Sequence, residues 1–134
     1  RVITDKMDKL KLKITRAIND ISEVVYFFAD DAKYLLIAYG TAARAAKEAV
    51  LQLRKNRRMK VGLIRLKTIW PFPDHLLQSY IRKADHTFVV ELNQGQLIYE
   101  IQRLGNMQKM SGINRYDGEM ITPAYISSQI REMK

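Results

Sequence analysis

The chain has 134 residues, enough for one compact domain that buries roughly two thirds of the surface its unfolded form exposes. Its 23 lysines and arginines stand against 14 aspartates and glutamates, a formal charge of +9, so a nucleic-acid or other polyanionic partner has to be weighed. There is no cysteine, which within these residues excludes disulfides, thiolate catalysis and a cysteine-ligated iron–sulfur cluster, and no apolar run approaches the ~18 residues of a membrane-spanning helix.

From Arg1 to Glu23, Ile3, Met7, Leu10, Ile14, Ala17 and Ile21 recur at alternating steps of four and three, with charged residues between them. This spacing predicts an amphipathic helix, packed on its own domain or paired with a partner helix. No initiator methionine and no signal-peptide pattern precede it, so the chain reads as a piece of a longer, cytoplasmic polypeptide. Val24 to Phe28 is a β-branched and aromatic cluster closed by Asp30-Asp31, which favours a strand.

The centre of the chain is Tyr34 to Ala49. Tyr34 to Tyr39 (YLLIAY) is an uncharged apolar run of the kind buried on both faces of a sheet. Gly40 and Thr41 end it, glycine permitting a sharp turn and the threonine hydroxyl offering a helix cap. A helix from Ala42 onward then presents Ala42, Ala43, Ala46, Ala49, Val50 and Leu53 as one stripe, small enough at its start to lie close on the strand. The basic run Arg54, Lys55, Arg57, Arg58 and Lys60 is expected as a solvated loop before the next strand, or as a contact with an acidic partner.

Lys60 to Leu66 (KVGLIRL) predicts a second parallel strand, and Lys67 to Pro73 (KTIWPFP) an irregular link, since two prolines a residue apart forbid regular helix or central strand. Pro73 and Asp74 open a helix whose buried face is Leu76, Leu77, Tyr80, Ile81 and Ala84. His86 to Leu92 (HTFVVEL) is a third parallel strand. After Asn93-Gln94-Gly95 comes a helix with Leu97, Ile98, Ile101 and Leu104 inward, closed by Gly105-Asn106. Met107 to Ile113 is a weaker strand signal, and Thr122-Pro123 caps a last helix carrying Tyr125, Ile126 and Ile130 inward. Strands alternating with helices imply a three-layer α/β/α fold on a mixed, mostly parallel sheet, with the first strand antiparallel at an edge. The domain division is a leading helix over 1–23 and the α/β domain over 24–134.

The chemistry-bearing residues are few. Gly40 and Thr41 at a strand-to-helix junction could meet a phosphate, but one glycine is neither a dinucleotide fingerprint nor a P-loop. His75 and His86 have no paired ligand spacing, so no metal is expected. Asp30-Asp31 read as a turn, and Glu91 as a polar residue emerging where a strand ends, rather than as acid–base catalysts. Trp70-Pro71-Phe72-Pro73 is the most unusual surface candidate, a rigid aromatic turn that either docks a partner or packs on its own helix. The basic run lacks the interleaved aromatics of a single-strand stacking platform.

Three stretches in order, Leu36 to Arg44 (LIAYGTAAR), Val61 to Pro73 (VGLIRLKTIWPFP) and Phe88 to Gln96 (FVVELNQGQ), with Ile121-Thr122-Pro123 after them, resemble domain II of the α subunit of 2-oxoacid:ferredoxin oxidoreductases. That domain is similar to the C-terminal domain of transketolase. The Ile69 to Pro73 and Glu91 to Gln96 segments look more like the 2-oxoglutarate and branched-chain enzymes than the pyruvate enzymes. The resemblance implies a five-stranded mixed sheet with Tyr34 to Tyr39 central. It also implies an enzyme that oxidatively decarboxylates a 2-oxoacid on thiamine diphosphate and magnesium, passes electrons through iron–sulfur chemistry to ferredoxin, and forms an acyl-coenzyme A. In the family those cofactor sites lie on other domains and the β subunit. The chain likewise lacks the Gly-Asp-Gly thiamine signature, so no catalytic, cofactor-binding or metal residue is carried over. What carries over is architectural: Gly40 and Thr41 at the junction, and Trp70, Pro71, Phe72, Asn93, Gln94 and Gly95 at one sheet end, where the β subunit or the N-terminal part of the same subunit would meet it. The expected role is assembly, and the alternative is a stand-alone basic module that binds nucleic acid or another polyanion.

Overall fold

The computed structural model describes residues 23–67, 72–92, 96–114 and 121–132. The elements run β1 (Val24–Phe27), β2 (Tyr34–Tyr39), α1 (Thr41–Arg57), β3 (Val61–Leu66), α2 (Asp74–Lys83), β4 (His86–Glu91), α3 (Gln96–Gln102), a 3₁₀ turn (Met107–Lys109), β5 (Met110–Asn114) and α4 (Pro123–Glu132). The predicted leading helix lies, apart from Glu23, outside the described residues. Glu23 itself extends the sheet: its carbonyl accepts the Lys67 N–H at 3.0 Å.

The strands form one sheet in the order β1-β3-β2-β4-β5. β2, β3, β4 and β5 are parallel, and β1 alone is antiparallel, with Val24 opposite Leu66 and Phe27 opposite Leu63. β2 is therefore the middle strand. Its Leu35, Leu36, Ile37 and Ala38 are wholly buried because successive side chains enter two separate cores. Leu36 and Ala38, with Val61, Leu63, Phe88 and Val90, meet α1 and α4 on one face. Leu35 and Ile37, with Ile64, Leu66 and Val89, meet α2 and α3 on the other. The expected three layers follow from that alternation.

The alanine stripe brings α1 down onto the sheet: Ala46 and Ala49 are fully buried, and a larger side chain there would lift the helix away. Two local expectations change. Thr41 is not the cap but the first helical residue; Gly40 holds the cap position at φ +63° and ψ −144° and makes no side-chain cap bond. The basic run is not a loop before β3 either. Arg54, Lys55 and Arg57 occupy the last turn of α1, where positive charge complements the helix dipole, and Arg58 at φ 52° closes the helix with the Met59 N–H on the Leu53 carbonyl at 3.3 Å. Lysine and arginine favour helix and the alanine pattern supplies the nucleus, so the helix runs on until a left-handed residue ends it. At α4 the predicted cap stands, Thr122 Oγ1 accepting from the Tyr125 N–H at 3.1 Å.

Candidate functional site

From β2 the chain goes to β3 on one side, and from β3 it crosses back to β4 on the other side of β2. The helices after β2 and β4 accordingly leave on opposite faces, α1 to one core and α3 to the other. Such a reversal opens a crevice beyond the carboxyl ends of the two strands, the usual place for a ligand in an open α/β sheet. A cavity of about 260 Å³ lies there, lined by Tyr39, Gly40, Thr41, Ala42 and Leu92.

Gly40 shapes its floor. A Cβ at this position would meet nothing within 4 Å, so the glycine is required by backbone conformation, in a region that residues with side chains rarely adopt. The turn directs the first N–H groups of α1 toward the crevice, with no acidic residue in the first turn and no side-chain cap. The helix across the crevice is arranged in the opposite way. Glu91, at the end of β4 and 1% exposed, turns inward, and its two carboxyl oxygens accept the N–H groups of Leu97 at 2.9 Å and Ile98 at 3.2 Å. This corrects the reading of Glu91 as a residue emerging at a strand end. It is a buried cap reaching across the strand-to-helix link, and it already occupies the positive end of α3. Among the described residues no side-chain cap occupies the end of α1.

Among the described lining residues the crevice offers backbone groups, the exposed Thr41 and the half-exposed Leu92, with Tyr39 beside them, but no histidine or carboxylate. It can hold an acceptor group; it has no proton-transfer pair. No group of three potential metal ligands occurs among the described residues. His75 lies exposed on α2, while His86 is buried at the start of β4, its Nε2 2.8 Å from Ser111 Oγ and its ring tilted on Phe88. Burial lowers the His86 pKa. Asp30 and Asp31 form a turn with structural partners: Tyr80 donates to Asp30 at 3.3 Å, and Arg54 pairs with Asp31 at 2.6 Å. Arg54 also donates to the carbonyls of Phe28 and Val61, tying the β1–β2 turn to α1 and β3. Its hydrogen bond is the main reason the Asp31 carboxyl is held below its ordinary pKa.

The links after β2, β3 and β4 all begin at the carboxyl end of the parallel sheet. Trp70, Pro71, Asn93, Gln94 and Gly95 lie outside the described residues. Phe72 is half-buried against the core of α2 and α3, with the Arg103 guanidinium 6.0 Å from its ring centre and Arg103 held in turn by Asp74 and Glu100. The Glu91 cap had one legible signal: an acidic residue closing an apolar run, followed by Asn93-Gln94-Gly95, a link with no acidic residue to serve the next helix.

Residues 32–126 match the family model described as pyruvate:ferredoxin oxidoreductase core domain II. The chain belongs to that family. A curated relative, 2-oxoglutarate synthase subunit KorA of Methanothermobacter thermautotrophicus, is 31% identical over 122 residues, covering 90% of this chain and 32% of its own length. The chain thus spans about a third of the length of the curated relatives it matches. In fold it is similar to 2-oxoglutarate:ferredoxin oxidoreductase from Magnetococcus marinus, solved with 2-oxoglutarate, coenzyme A and succinyl-CoA bound, with a TM-score of 0.81 and 21% identity over 96% of this chain and 23% of that one. Transketolase from Campylobacter jejuni shares the fold at a TM-score of 0.55 and 16% identity, over 77% of this chain and 17% of that one. Core domain II is therefore a transketolase-like α/β unit in this chain, as its motifs implied.

Proposed function

We propose that this core domain II serves as an assembly domain in the α-type subunit of a 2-oxoacid:ferredoxin oxidoreductase, with 2-oxoglutarate as the 2-oxoacid. The family match over residues 32–126 carries the reading, and the name of the KorA relative supports the choice of substrate. The complete enzyme, in this reading, is cytoplasmic. It uses thiamine diphosphate with magnesium, an iron–sulfur cluster and coenzyme A, all held by the N-terminal part of the subunit and by a β subunit, and it passes electrons to ferredoxin. The residues described here do not fit the thiamine site. Holding a diphosphate through a divalent metal needs oxygen ligands, and the described lining of the crevice has no carboxylate. No catalytic step is assigned to this chain.

Its contribution is the carboxyl edge. In this reading the α1 end at Gly40 and Thr41, with Phe72 and the links after β3 and β4 that carry Trp70, Pro71, Asn93, Gln94 and Gly95 in the sequence, provides the surface on which the remaining subunit docks. The leading segment 1–23 belongs to the same reading as a helix preceding the domain. Basic charge supports no competing nucleic-acid reading, because Arg54 is consumed by Asp31 and two carbonyls, and its neighbours complete a helix end.

The test pairs cofactor binding with reconstitution. The chain alone should show no thermal shift with thiamine diphosphate and magnesium and no dye reduction with 2-oxoglutarate and coenzyme A. The complete α subunit with its β partner should be active, and Trp70→Ala with Phe72→Ala should weaken their association in sedimentation while leaving the circular dichroism of the chain unchanged. Saturable thiamine diphosphate binding by the chain alone would sink the assembly reading. Preference for a branched-chain 2-oxoacid would overturn the substrate.

A further inference from the structure

A second cavity, of about 300 Å³, lies toward the other end of α1, between that helix and α4. Leu53 forms an apolar wall; Gln52, Asn56 and Arg57 of α1 and Ser127 and Arg131 of α4 supply the polar lining. Ser127 and Arg131 are one helical turn apart and share a face. Arg131 Nε donates to the Ser127 carbonyl at 3.3 Å, which holds the guanidinium stem beside the cavity.

Two observations point to a ligand. First, Ser127 is only 8% exposed, and its Oγ has no hydrogen-bond partner among the described residues. Buried hydroxyls are normally partnered, and a serine oxygen reaches a new acceptor by a single χ1 rotation. Secondly, the polar lining consists of two guanidinium groups, two carboxamides and that hydroxyl, with no carboxylate among them. Arg54 and Arg103 have acidic partners; for Arg57 and Arg131 no carboxylate lies within ion-pair distance among the described residues. The carbonyl end of α1 is nearby and disfavours an anion, but Lys55 and Arg57 in its last turn outweigh the half charge of the dipole.

We propose that this cavity binds the phosphate group of a small molecule. The donors approach from two helices, Gln52, Asn56 and Arg57 from α1 and Ser127 and Arg131 from α4, an arrangement that serves the several acceptor directions of a tetrahedral oxyanion better than the single plane of a carboxylate. Arg57 and Arg131 supply the charge and Ser127 the buried hydrogen bond.

The experiment is an amide-shift titration of the whole chain with inorganic phosphate at constant ionic strength, with malonate as the carboxylate probe. Saturable shifts are expected in 52–57 and 124–131, with phosphate favoured over malonate. Arg57→Gln and Arg131→Gln should each weaken phosphate binding roughly ten-fold, as expected for loss of a charge-assisted hydrogen bond. Ser127→Ala should also weaken it while leaving the melting temperature unchanged or higher, because no described protein group depends on the hydroxyl for a hydrogen bond. Arg44→Gln, exposed on the first turn of the same helix, should have no effect. Shifts that do not saturate, an equal loss with Arg44→Gln, malonate binding as tight as phosphate, or unchanged binding by Ser127→Ala would each overturn the proposal.

Discussion

Glu91 and His86 stand at the two ends of β4 and show how burial decides what an ionisable residue does. Removing the Glu91 side chain leaves the Leu97 and Ile98 N–H groups without their acceptors inside the protein. Glu91→Ala should therefore cost about 3 kcal/mol, and Glu91→Gln, which keeps one acceptor, about half of that, read as the shift of the urea midpoint at constant slope. His86 supplies a pH dependence. Its pKa is lowered from 6.5 by burial, so the unfolded chain binds the proton more readily than the folded one. The stability it contributes is complete above about pH 6.5 and is lost as pH falls toward the depressed folded value. Unfolding free energies measured between pH 7.5 and 5 should decline, and His86→Gln should flatten that decline. Equal slopes in the two proteins would show that another group titrates.

At the scale of elements, the edge strand β1 is attached through a close approach rather than a large core. A Cβ on Gly62 would come within 2.5 Å of the Phe28 carbonyl oxygen and 2.9 Å of both the Ala29 Cα and the Ala32 Cβ. The contacts are backbone and a short side chain, which cannot swing aside. Gly62→Ala should push the β1–β2 turn off β3, cost about 2 kcal/mol, and speed amide exchange in β1 while leaving β4 and β5 protected. Arg54 acts on the same turn from the other side through Asp31 and the Phe28 carbonyl. A pair this exposed is weak by itself; its value is in fixing where the turn sits on α1.

For the whole molecule, a formal charge of +9 counts for less than the positions of the charges. The basic run ends a helix, and no aromatic residue interleaves it, so DNA or RNA should bind weakly near physiological salt and lose affinity steeply as salt rises. Submicromolar binding with sequence preference would contradict this. The layer architecture was legible because it depends on local pattern: apolar runs too short for helices, an alanine stripe at helical spacing, and proline or glycine at several of the boundaries. The motifs at Gly40, Pro73 and Thr122 were legible for the same reason, and with them the family. Three features needed the tertiary structure: the strand reversal that makes a crevice of Gly40 and Leu92, the inward turn of Glu91, and the meeting of Arg57 with Ser127 and Arg131. Each joins residues through packing between elements, and chain periodicity specifies which face of an element is buried but not which neighbour covers it.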